Sequence, residues 1–136
     1  MVEAADHTYT GGPVKVTVKG LGRLNRALAR AGVDAQNMRD LMHEIGMIAV
    51  RDAQGRVPVD SGRLRESIRS GRGKTKAVVR AGGARIPYAG VIHYGTPDNA
   101  YQPSPFLLTA IQAQRGAILN RFNQGVGDIL AGAELK

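Results

Sequence analysis

Arginine and lysine are the side chains of this sequence best placed to do chemistry. From position 51 to 85 the chain carries Arg51, Arg56, Arg63, Arg65, Arg69, Arg72, Lys74, Lys76, Arg80 and Arg85 against Asp52, Asp60 and Glu66. Ten cations minus three carboxylates leave +7 in this segment, compared with +8 for the whole chain. A guanidinium forks onto two oxygens of a phosphate or carboxylate at once, so this concentration suits an anionic partner. Arg63, Arg65, Arg69, Arg72, Lys74, Lys76 and Arg80 are the candidate contacts with DNA or with an acidic protein surface; a merely solvated charged face is the plain alternative. Reading of base sequence is not expected. No DNA-reading motif is present, and Tyr and Phe are not interleaved with the cations as a stacking platform requires.

Other chemistry fails on spacing. His43-Glu44 would open a zinc-protease HExxH motif, but Met47 stands where the second histidine belongs. Gly73-Lys74-Thr75 resembles the end of a phosphate-binding loop, yet that pattern needs glycine at 68, where Ile68 stands. Ser61 has no GxSxG elbow around it and is better read as a capping residue. His7, His43 and His93 are scattered, the carboxylates are dispersed, and the chain has no cysteine. No catalytic, cofactor or metal site is expected, and the chain reads as a non-enzyme.

The elements that must position the cations follow from periodicity. With 136 residues, 43% hydrophobic and 22% charged, the chain has the size and composition of one globular domain. Residues 1–12 have little to bury and read as a flexible arm, 13–131 as a single domain, and 132–136 as a tail. Val14, Val16 and Val18 alternate with Lys15, Thr17 and Lys19, the pattern of a half-buried strand. A short helix follows to Gly32. Met38, Leu41, Met42, Ile45, Ile48 and Ala49 then trace a long amphipathic helix from an Asp34 cap to about Gln54.

From Leu64 the alternation favours a strand, although Leu64 and Ile68 would also share a helical face. Paired with a return strand over 76–82, it makes a basic hairpin with Arg63, Arg65 and Arg69 on one face and Arg80 nearby. Tyr88 to Tyr94 suit a single helical turn, residues 95–105 a proline-rich loop, and 105–131 one long helix weakened late by Gly116, Gly125 and Gly127. The fold class is therefore α+β: a small antiparallel sheet of about three strands against two long helices and one short one. The start lacks a signal-peptide pattern and no apolar run could cross a membrane, so a soluble protein made in the cytoplasm is expected.

Taken in order, Pro58-Val59-Asp60-Ser61-Gly62-Arg63-Leu64-Arg65-Glu66-Ser67-Ile68, Tyr88-Ala89, His93-Tyr94-Gly95-Thr96 and Pro103-Ser104-Pro105-Phe106-Leu107 resemble the neck, or head-tail joining, family of tailed bacteriophages, also called minor tail components. The likeness spans about residues 20–130. The family often has Glu before its Gly-Thr, where this chain has His93-Tyr94. The resemblance implies a structural virion protein, made in the host cytoplasm, that forms a ring around the DNA channel where tail meets capsid. Its partners would be copies of itself and the neighbouring connector and tail proteins, with non-specific contact to duplex DNA and none to membrane. Tyr88, Val91, His93, Tyr94, Tyr101 and Phe106 are the expected subunit-interface residues. A tail terminator or tail-completion protein at the first tail ring, and a small basic nucleic-acid-binding module outside the virion, are the alternative readings.

Overall fold

Asp34 starts the helix on which the rest of the chain is built. Its carboxylate accepts from the backbone N–H of Gln36 at 2.7 Å and of Asn37 at 3.4 Å, which satisfies amides that the first turn leaves without partners. The structure, a computed structural model, describes residues 3–6, 13–57, 62–71, 73, 76–83, 86, 88–94 and 104–134. The helix capped by Asp34, α2 (Ala35–Arg56), buries Met38, Leu41, Met42, Ile45, Ala49, Val50 and Ala53 along one side. Before it, β1 (Glu3–Asp6) and β2 (Val14–Lys19) lead to α1 (Gly22–Arg30). Beyond α1, Gly32 at φ +83° allows the N–H of Val33 to reach the Leu28 carbonyl, the paired bonding of a Schellman stop.

After α2 come α3 (Arg63–Ser67), β3 (Arg69–Ser70), β4 (Ala77–Ala81), α4 (Ala89–Tyr94), α5 (Phe106–Ala113) and α6 (Arg115–Glu134). The strands form one antiparallel sheet in the order β1-β2-β4-β3. Val14, Val16, Val18, Ala77, Val79 and Ala81 point inward and are all buried. They meet α2 and α5 in a single apolar cluster that also takes in Leu64, Ile68, Phe106, Leu107, Ile111, Ile118 and Phe122. The helix α6 packs on α2 from the far side, where Gly125 sits against Leu41.

The α+β class with its small antiparallel sheet is as the sequence implies. The detail differs in four places. Glu3–Asp6 of the expected arm pairs with β2, as Glu3↔Lys19 through Asp6↔Val16. Residues 63–67 are helix, not strand: Leu64 and Ile68, four apart, are both buried, and Ser67 Oγ donates to the Leu64 carbonyl at 2.6 Å. Only Arg69 and Ser70 extend along β4, so the expected hairpin is reduced to a two-residue arm.

The last helix is also divided. It is interrupted at Gln114 rather than at a glycine, and the Gln114 side-chain amide donates to Asp52 Oδ2 of α2 at 2.8 Å. The expected capping residue Ser61 and most of the 95–105 loop lie outside the described residues.

Candidate functional site

The sheet has one face against helices and one face outward, and the outward face collects cations. Strand alternation puts Lys15 and Thr17 of β2, Val78 and Arg80 of β4, and Arg69 of β3 on that outer side. Arg80 stands directly opposite Lys15 on one neighbour and directly opposite Arg69 on the other. The three form a row across adjacent strands at a spacing of about 4.8 Å per strand. All are exposed, and among the described side chains no carboxylate pairs with them. Like charges placed directly opposite destabilise a sheet by a few tenths to about 1 kcal/mol per pair.

Arg69 is held in place from below. Its Nη1 donates to the Ser67 carbonyl at 2.8 Å and to the Gly82 carbonyl at 2.9 Å, while the Gly82 N–H donates to Ser67 Oγ at 2.8 Å. Gly82 has φ +84°, and a Cβ there would meet the Ala89 Cβ at 2.5 Å, so this knot of bonds requires glycine. The inner side of β3 is fixed as firmly: Ser70 pairs with Val79 and lies against Gly46 of α2.

Of the seven expected anion contacts, the structure brings Arg69 and Arg80 together. Lys76 is exposed just ahead of β4, in outward phase with Val78 and Arg80. Arg63 and Arg65 are exposed on α3, but two residues in a helix point about 200° apart, so they do not share one face as a strand would have made them. Arg72 and Lys74 lie outside the described residues. Lys15 is the member that sequence reasoning missed. Its outward phase was evident, but its pairing with a strand far along the chain was not.

The expected interface cluster divides in two. His93 and Phe106 are fully interior, packed edge to face with ring centroids 5.1 Å apart, and His93 also meets Tyr94 at 4.5 Å. They shape the surface from beneath and do not form it. Tyr88 is exposed, and Val91 and Tyr94 are half-buried on α4. The Ser104 N–H donates to the Ile92 carbonyl at 2.8 Å and pins the start of α5 to α4. Tyr101 is outside the described residues.

A groove of about 480 Å³ between α2 and α6 is lined by His43, Glu44, Met47, Ile48, Arg51 and Arg121. Glu44 is ion-paired with Arg121. No group of three His, Asp or Glu among the described residues could hold a metal ion. At the α5–α6 junction the carboxyl of Asp52 is held below the usual aspartate range, chiefly by its hydrogen bond from Arg56 and further by Gln114; burial opposes both. No described helix is long and apolar enough to cross a membrane.

Residues 21–95 match the family described as "Bacteriophage HK97-gp10, putative tail-component". The match covers α1 through α4, including α2, the two-residue β3 and all of β4, and the chain belongs to this family. It is thus a bacteriophage structural protein of the tail region. No curated protein and no solved structure matched the chain.

Proposed function

We propose that this protein is a virion subunit that assembles as a ring at the head-tail junction and joins the tail to the capsid. Membership of a phage tail-component family is the observation that carries the reading. The surface is compatible with head-to-tail assembly, in which one copy meets the next through two different patches. On α6, Leu119 and Leu130 are about 40% exposed and lie about three turns apart on one side. The α2–α6 groove has Met47 and Ile48 in its lining, beside the Glu44–Arg121 pair. Leu119, Leu130 and the groove are surfaces that a neighbouring copy could cover. In this reading, neighbouring copies and the adjoining connector and tail proteins cover these surfaces.

The test is the mass and shape of the purified protein, alone and with its neighbouring connector protein. Mass photometry should give one closed multiple of 14.5 kDa, and negative-stain images should show annular particles. A protein that stays monomeric under both conditions contradicts the proposal.

A further inference from the structure

We propose that the outer face of the sheet binds the phosphate backbone of duplex DNA, without regard to base sequence, through Lys15, Arg80 and Arg69. The reading of the protein as a virion subunit enters only in saying where DNA would be met; the binding itself does not need a ring.

The first support is geometric. Register places the three cations in one row across three adjacent strands, with about 10 Å from the first strand to the third. Arg69 is pre-organised by its bonds to the Ser67 and Gly82 carbonyls, both made from Nη1, so its Nε and Nη2 donors are left for an anion. Lys76 extends the charge along β4, and the Thr17 hydroxyl lies between the lysine-bearing positions of β2.

The second support is what the face lacks. Among its described residues the apolar ones are Val78, which is half-buried, and the small Ala5, which the register sets opposite Thr17. A protein partner of comparable size would want an aromatic or aliphatic anchor at the centre of the contact, and lysine is depleted from such centres. The phosphate backbone wants what is present, namely arginine, lysine and a hydroxyl. Single-stranded nucleic acid is disfavoured on the same ground, since none of the described residues of this face carries an aromatic ring for bases to stack on. The unrelieved repulsion between Arg80 and its two neighbours is understandable if a polyanion relieves it.

The experiment is fluorescence anisotropy of the full chain with a labelled duplex of random sequence, across a salt series. Each phosphate contact contributes about 0.9 to the slope of log affinity against log salt. K15Q/R80Q should therefore flatten the slope by about two and weaken binding roughly tenfold or more near 0.1 M salt. The control is R23Q/R30Q, which removes the same charge from exposed positions of α1. It should leave the slope nearly unchanged.

Thermal melting verifies that both variants fold, and sedimentation reports assembly separately. Absence of duplex binding by the unmodified protein, equal weakening by the two double variants, or an unaltered slope in K15Q/R80Q each overturns the proposal. So does a K15Q/R80Q protein that binds duplex normally but no longer enters particles, which would assign the face to an acidic protein. Failure to assemble, with the slope difference intact, counts against the ring and not against DNA binding.

Discussion

Gly46 of α2 and Ser70 of β3 are in such close contact that a Cβ added to the glycine would lie 2.7 Å from the serine Cβ and closer still to its hydroxyl. This contact seats the short edge strand on the central helix and so fixes where Arg69, the preceding residue, can stand. In an isolated helix Gly46→Ala would gain about 1 kcal/mol. Here the overlap should reverse the sign, with a net loss of about 1–3 kcal/mol as for other overpacked cores. Chemical denaturation measures it. Adding Ser70→Gly to the alanine variant should recover part of the loss; a neutral or stabilising single change would show that the two elements are not in contact.

Gly82→Ala should cost more, about 2–4 kcal/mol, because a positive φ and a close approach coincide at one residue. The added methyl would meet Ala89, and any shift would disturb the bonds to Ser67 and Arg69. Stability is again the direct readout. Weakened duplex binding at a temperature where the variant remains folded would be the secondary one.

Removing the central cation of the row should stabilise the isolated subunit. Arg80→Thr eliminates two like-charge pairs and places a β-branched residue in a strand, so the melting transition should rise by the equivalent of about 0.5–1.5 kcal/mol at low salt. The gain should shrink as salt screens the repulsion. A loss of stability in low salt would show that Arg80 has a stabilising partner within the chain.

The Asp52 carboxylate gives a pH dependence. Its folded pKa is depressed, so its contribution is fully present above the pKa it has in the unfolded chain and is lost as pH falls through the folded value. Asp52→Asn should therefore be less stable than the parent near neutrality, and the difference should fade in acid below the usual aspartate range. Denaturant melts at several pH values test this. A difference that grows in acid would contradict the assignment.

Legibility of the fold followed the range of the forces involved. The Asp34 cap, the α2 stripe and the valine alternation of β2 depend on residues within a turn or two, and each was evident from spacing alone. Residues 63–67 carry both a strand-like alternation and a helical pair in Leu64 and Ile68; the burial of that pair against the core decided for helix. The contact of Gln114 was hidden because its partner, Asp52, lies on another helix. Two of the three cations of the candidate site were evident for the same reason. Arg69 and Arg80 belong to one stretch of the chain, whereas Lys15 joins them only through the pairing of β2 with β4.

Location in purified virions tests most directly whether the protein is a built-in part of the particle. Mass spectrometry of gradient-purified phage should find the chain at a fixed number of copies per particle, and gold-labelled antibody should decorate the point where tail meets head. Virions that lack the chain while remaining fully tailed and infectious would contradict it.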